Sequence, residues 1–206
     1  EKDYDKMKEY YLMAIDKGNS YAMYNLGYYY QTIEINYDKM KEYYLMAIDK
    51  GHSYAMFTLG YYYKNIEKNY DKMKEYLLMA IDKGILHAMN NLGLYYQFIE
   101  KDYNKMKAYY LMAIDKGNSD AMNNLGLYYD TIEKDYDKMK KYYLMAIDKG
   151  DSNAMNNLAT YYDEIEIDYD KMKEYLVMAI KKGHSGAKNT FKNRTNPLER
   201  YIYYEQ

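Results

Sequence analysis

The stretch YDKMKEYYLMAIDKG, residues 37–51, decides the fold, because nearly the same word begins again at Tyr4, Tyr70, Tyr103, Tyr136 and Tyr169. Each copy starts 33 residues after the one before it, without an insertion or deletion. A fixed period of about 20–50 residues marks a solenoid or array rather than a single globular core. Each unit leaves an apolar face that it cannot bury alone, so stability comes from stacking on its neighbours.

Two helices fit within one period. Between Ser20 and Asn36 the apolar residues Ala22, Met23, Leu26, Tyr29, Tyr30 and Ile33 recur at helical spacing, which predicts a first helix, helix A, N-capped by Ser20. Ser53, Ser119, Ser152 and Ser185 hold the same place, whereas Leu86 makes the third start the weakest. Helix B is predicted from about Asp38 to Lys50, with an acid in its first turn and a Lys in its last. Gly51 then takes the left-handed cap conformation, and Gly18, Gly84, Gly117, Gly150 and Gly183 repeat the stop. The single proline, Pro197, lies beyond the array. Ala187 to Asn193 reads as a partial helix A that caps the array. The array thus spans 1–193 with an incomplete first repeat, and a tail follows at 194–206 whose Leu198, Tyr201 and Ile202 are expected to fold back on exposed core.

Composition narrows the function. The formal charge is −2, so the basic excess that neutralises a phosphate backbone is missing and nucleic acid is not an expected partner. Cysteine is absent, which removes disulfides, thiolate zinc sites and thiol nucleophiles. No apolar run approaches about 18 residues, so no membrane span is expected. The expected compartment is the cytoplasm, and the abundance of Tyr, Lys, Asn, Ile and Asp points to an AT-rich genome such as that of a large DNA virus or a protist, in which case it is the host's cytoplasm. The chain starts inside a repeat without an initiator Met, and reads as a fragment with room for a signal peptide or domain upstream.

The words AMYNLGYYYQTIEINYDKMKEYYLMAIDKG, from Ala22 to Gly51, resemble a Sel1-like repeat: Ala, then Leu-Gly, then Tyr, a loop, an aromatic pair on the second helix and a closing Gly. The resemblance covers about Asp3 to Gly183 and extends to the related tetratricopeptide repeats. It implies an all-α fold, a right-handed α-solenoid of antiparallel helix pairs, and a non-enzymatic scaffold or adaptor that brings proteins together. Two departures concern curvature: the Gly-containing loop usual inside such units is shortened to QTIEIN, and Met40 stands where the family prefers Ala.

All 17 methionines lie on three ladders. The Met7–Met172 and Met23–Met155 series share faces with Tyr44, Ala47 and Leu26 and are expected in the core. The third series, including Met46, Met79, Met112 and Met145, falls among the charges of helix B. It is either partly covered by the next repeat or a contact ridge on the convex side. Tyr30 and its equivalents belong to the buried arc, with hydroxyls at its rim. Gly27, Gly60, Gly93 and Gly126 lie where a neighbour must approach closely.

The opposite face of helix A carries the variation and is expected to line the concave side. One position runs Tyr24, Phe57, Asn90, Asn123, Asn156, and another runs Tyr28, Tyr61, Leu94, Leu127, Thr160, so the groove changes from aromatic to amide-rich along the chain. Asp120, Asp130, Asp163 and Glu164 add acid to the later half, which favours a peptide with Lys or Arg. The residue before each Leu-Gly is Asn25, Thr58, Asn91, Asn124 or Asn157. A carboxamide offers a donor and an acceptor together, so this ladder either pairs with the main chain of an extended peptide or bonds to neighbouring helices and orders the stack.

Catalysis needs a nucleophile, base or metal cluster that converges. His52, His87 and His184 are scattered through inter-repeat turns and no carboxylate pair stands apart, so no catalytic residue, metal or cofactor is expected. The function expected is protein or peptide binding. The alternatives are a homo-oligomer formed through the Met46 ridge or the open first repeat, and helical-repeat RNA reading, which the charge opposes.

Overall fold

The computed structural model describes residues 3–195. They form twelve α-helices and three short π-helical turns, and no strand occurs among the described residues. The fold is an all-α repeat solenoid. The chain divides into two compact units, residues 1–92 and 93–206, and the division falls inside one helix. The calls on Leu198, Tyr201 and Ile202 lie outside the described residues.

The first unit holds α1 (Tyr4–Asp16), α2 (Ser20–Thr32), α3 (Tyr37–Asp49), α4 (Ser53–Tyr62), a π turn at Tyr63–Glu67, α5 (Tyr70–Asp82) and the start of α6 (Leu86–Tyr95). In the second, a π turn at Tyr96–Glu100 leads to α7 (Tyr103–Asp115), α8 (Ser119–Tyr128), a π turn at Tyr129–Glu133 and α9 (Tyr136–Asp148). It closes with α10 (Ser152–Glu164), α11 (Tyr169–Lys181) and α12 (Ala187–Arg194). Even-numbered helices are helix A and odd-numbered ones helix B. The helices α2, α4, α8 and α10 each pack most extensively on the helix B that follows.

The turn from helix B to helix A is one device used repeatedly. Gly51, at φ +78°, donates its N–H to the Ile48 carbonyl (2.8 Å), and His52 donates to the Ala47 carbonyl (3.0 Å). Together these bonds satisfy the last carbonyls of α3. The side chain of the same residue caps the next helix: His52 Nδ1 accepts from the Ala55 N–H (3.2 Å), as Asn19 accepts from Ala22 (3.0 Å) and Asp151 from Ala154 (3.0 Å). The cap is therefore Asn19, His52, Asn118 or Asp151, one residue before the serine read as the cap, and that serine falls inside the helix start; His184 likewise accepts from the Ala187 N–H, although α12 begins only after its N-cap Gly186. The reason is reach: the residue whose amide closes the preceding turn already has the extended backbone that a cap requires. Ile85 fills this position in the third repeat and has no side-chain acceptor to offer. The Lys expected in the last turn of helix B is the C-cap, as Lys50 shows.

At the turn from helix A to helix B a glycine is missing but the geometry it would serve is kept. Ile35, Lys68, Lys101, Lys134 and Ile167 all have φ between 52° and 56°. A β-branched residue in the left-handed region is strained. Where Lys occupies the position the preceding turn is π-helical, and where Ile does the α-helix runs on to Thr32 or Glu164. Ile33, read as part of the apolar arc, is 51% exposed at this junction because α2 has ended and the chain is turning away. Ile66, Ile99, Ile132 and Ile165 are exposed in the same way.

The core follows the other apolar positions. Met23, Met40, Leu26, Ala47 and their equivalents are buried in both units, except Met7 and Ala14 of α1, which are half-buried, so these two methionine ladders are core. Helix B presses one large side chain against the glycine of helix A. A Cβ at Gly27 would lie 2.6 Å from the Tyr44 ring, at Gly93 2.4 Å from Tyr110, and at Gly126 2.6 Å from Tyr143. At Gly60 the neighbour is Leu77 at 3.1 Å, and in the fifth repeat Ala159 replaces glycine in the repeat whose helix B carries Leu176. A second aromatic layer seals the edge: Tyr30 stacks on Tyr43 (5.6 Å, 3°) with Lys39 Nζ 4.9 Å from its ring centre, and Tyr129 stacks on Tyr142 (5.6 Å, 3°) with Lys138 at 5.1 Å. The loop glutamates bolt consecutive repeats together. Glu67 accepts from the Tyr62 hydroxyl (2.9 Å) and from Lys41 of the preceding helix B (3.0 Å), and Glu133 accepts from Tyr128 (2.8 Å) and Lys107. The lysine and the tyrosine hydroxyl hold each carboxyl below its usual range.

Candidate binding face of the first helices

In the first unit the outward face of α2 is aromatic. Tyr21 and Tyr28 are 72% and 52% exposed, and Asn25 between them is exposed as well. Tyr24 is half-buried: its ring stacks on Tyr44 (5.5 Å, 26°) and on His52 (4.7 Å, 15°), while Tyr21 meets the edge of His52 (4.8 Å). Burial holds the His52 imidazole below its usual pKa, and only neutral imidazole can accept the Ala55 N–H at Nδ1. On α4 Phe57 lies 6.4 Å from Tyr61 and 6.3 Å from His87, centre to centre, and Tyr61 is exposed. Asn91 spends both of its polar atoms inside the unit, donating to the His87 carbonyl (2.9 Å) and accepting from Lys64 Nζ (3.2 Å). Asn90 is buried.

In the second unit the amides pack more tightly. Asn123 is buried and its Oδ1 accepts from Asn157 Nδ2 (3.0 Å), which ties α8 to α10. Asn124, Asn156 and Asn157 are half-exposed, and Asp120 is exposed in the first turn of α8, where a carboxylate favours the helix dipole. The acid pair expected in this half differs in its surroundings. Asp163 Oδ2 receives Arg194 Nη2 at 2.9 Å, and its side chain is only 7% exposed. Asp130, half-buried, lies near Tyr143, Lys134 and Glu164; burial first, and Glu164 second, push its carboxyl above the usual range.

On helix B, Met46, Met79 and Met145 are half-buried and Met112 is 43% exposed, beside Leu45, Leu78, Leu111 and Leu144 at 41–44%. A cleft of about 380 Å³ in the second unit is lined by Gln97, Phe98, Tyr103, Leu127, Thr131 and Ile132, of which only Leu127 was expected to line the groove. Its best signal in the sequence is Phe98, the one aromatic in the variable loop positions. The tyrosine or leucine pressed on each helix-A glycine and the glutamate bolts were also missed. The invariant Ile-Glu pair in every loop was the available signal for the second. Among the described residues no three His, Asp or Glu side chains are grouped to hold a metal ion, and no helix is long and apolar enough to cross a membrane.

Helix pairs of constant length, stacked through a glycine contact and varying on one outward face, define a repeat protein of the interaction-scaffold class. The Sel1 repeat model matches residues 1–19, 20–52, 53–85, 86–118, 119–151 and 152–184, and the chain belongs to the Sel1 repeat family. Sel1 repeat proteins generally mediate protein–protein interactions, and the scaffold is typically non-catalytic. Comparison with curated proteins gave no significant match. Among solved structures, a Sel1 repeat protein from Oxalobacter formigenes is 25% identical with a TM-score of 0.72, the match covering 91% of this chain and 84% of that one. A protective antigen of uropathogenic Escherichia coli is 24% identical with a TM-score of 0.73 over 90% of this chain, which spans only 43% of the antigen. An immunity protein from Pseudomonas aeruginosa is 21% identical with a TM-score of 0.60, covering 96% and 82%.

Proposed function

We propose that this chain is a non-catalytic protein-binding scaffold that takes an extended segment of a partner along the outward face of its first helices. The observation that carries the reading is where the repeats differ. The interior ladders and the glutamate bolts are repeated almost letter for letter, while the outward positions of helix A change from exposed Tyr28 and Tyr61 to half-buried Leu94 and Leu127 and exposed Thr160. Stacking explains the constant part, and only an external contact explains a face that is both exposed and individually composed. The Asn ladder divides its duties on this reading. Asn91 and Asn157 order the stack, and Asn25 offers its carboxamide outward.

Selection of a random peptide library on the full chain tests the proposal, with Tyr61→Ala and Asn156→Ala as variants of exposed or half-exposed positions. Enriched peptides should bind the parent chain and lose at least severalfold affinity to each variant. Peptides indifferent to both substitutions would place binding elsewhere. A second reading, self-association through helix B, is favoured by the leucine row Leu45, Leu78, Leu111 and Leu144 beside Met112, all exposed to a similar degree. Sedimentation velocity across a wide concentration range decides it, since a mass independent of concentration removes that reading.

A further inference from the structure

One position near the end of helix A reads Gln31, Lys64, Gln97, Asp130 and Asp163 through the five repeats. Four of these side chains have a partner. Gln31 Oε1 accepts from the Tyr44 hydroxyl (2.6 Å) and Gln97 Oε1 from the Tyr110 hydroxyl (2.7 Å). Lys64 donates to Asn91 (3.2 Å), and Asp163 receives Arg194 (2.9 Å). Asp130 has neither a hydrogen bond nor an ion pair among the described residues. Beneath it the Tyr143 hydroxyl is fully buried and makes no hydrogen bond of normal geometry, with only the Asn157 carboxamide, already engaged with Asn123, close to it. Asp is one methylene shorter than Gln, so its carboxylate stops short of the hydroxyl that Gln97 reaches in the repeat before.

We propose that Asp130, with the Tyr143 hydroxyl below it and Glu164 beside it, seats an arginine side chain of the bound partner, as Asp163 seats Arg194 within the chain. The proposal rests on the reading of the helix-A face as the binding surface and names the chemistry recognised in its second half. A guanidinium offers parallel N–H donors to a carboxylate and is more weakly hydrated than an ammonium, so it suits a half-buried acid better than lysine does. Glu164 adds negative charge on the approach, and Lys134, which acts on Asp130 more strongly than Glu164 does, forms no ion pair with it. The π-helical turn that carries Asp130 is a local irregularity of the kind often found at functional positions. The raised carboxyl pKa agrees with a half-buried charge that has no ion pair.

The test is an NMR titration of the full chain with three short Gly-Ser peptides that differ only in a central arginine, lysine or citrulline. The arginine peptide should bind about tenfold more tightly than the uncharged citrulline peptide, with shift changes centred on Asp130 and Tyr143. In Asp130→Gln, which rebuilds the bond seen at Gln97 and so keeps or raises the unfolding midpoint, the preference should vanish. In Asp120→Asn it should persist. Equal binding of arginine and citrulline peptides, a preference that survives Asp130→Gln, shifts centred elsewhere, or no binding at all would overturn the arginine seat. Equal binding that still depends on Asn156 would discard the seat and keep the binding face.

Discussion

Consecutive repeats in the second unit differ at one contact. Tyr110 and Tyr143 press on glycine in the same way, with a Cβ distance of 2.4 Å at Gly93 and 2.6 Å at Gly126. Yet the Tyr110 hydroxyl is bonded to Gln97, whereas the Tyr143 hydroxyl makes no bond of normal geometry and has only the Asn157 carboxamide close by. Burial pushes both phenols far above their ordinary range. A buried hydroxyl without a partner costs about 1–3 kcal/mol, a sizeable share of a marginal stability. The repeat that carries Asp130 gives up a bond its neighbour keeps and places a carboxylate at the surface instead. A departure that weakens the frame and adds chemistry to the variable face is where function is to be sought.

The largest test of this comparison is at the glycines both repeats share. Gly93→Ala drives a methyl into the Tyr110 ring and should cost about 1–3 kcal/mol by chemical denaturation. Gly60→Ala meets the Leu77 side chain at 3.1 Å rather than a ring, as Ala159 stands in the repeat with Leu176. There the Leu77 backbone N also lies at 3.3 Å, and the helix propensity gained, about 1 kcal/mol, should offset much of this milder crowding. Equal losses at the two sites would show that the ring does not set the requirement for glycine. Next in size, Tyr110→Phe leaves buried Gln97 without its donor and should cost about 1–2 kcal/mol, whereas Tyr143→Phe removes an unbonded hydroxyl and should be neutral or stabilising. A matching loss at Tyr143 would mean that its hydroxyl is satisfied in solution and would erase the contrast.

The smallest effect concerns the caps. His52 has a pKa below its ordinary value of 6.5, so the unfolded chain takes up the proton first. The stability tied to this cap is fully present above about pH 6.5 and is lost as pH falls through the folded-state value. His52→Asn installs the cap that Asn19 and Asn118 already provide and should flatten the melting temperature between about pH 7 and 5. An unchanged slope would assign it to other groups. Below about pH 4.5 the depressed carboxyls of Glu67, Glu133 and Glu166 add a further loss of the same sign.

Much of the frame is legible in the sequence because it depends on a period. The spacing of Tyr37 and its copies, the glycine after each helix B and the methionine ladders fix the helix pairs, and the structure departs from them by about a residue. Ser20 was read as a cap because serine is the constant letter there. The capping atom comes from the variable residue before it, where Asn19, His52 and Asp151 share an acceptor but not a name. Ile33 misled because its helical spacing continues one step past the end of the helix. The candidate face was legible as a face, from exposed Tyr28, Tyr61 and the amides. The division of those amides was not: Asn91, Asn123 and Asn157 bond within their units, and such pairings between repeats depend on distances that no single period encodes. Asp130 and Asp163 look alike in sequence, and only packing separates the one that has Arg194 from the one that has no counterion.

Asp130→Gln brings these threads together when its unfolding free energy and its affinity for the arginine peptide are measured on the same sample. A chain that is about 1 kcal/mol more stable, through the bond regained with Tyr143, and that no longer distinguishes arginine from citrulline is the result expected. A variant that is less stable, or that keeps its preference for arginine, would contradict the account.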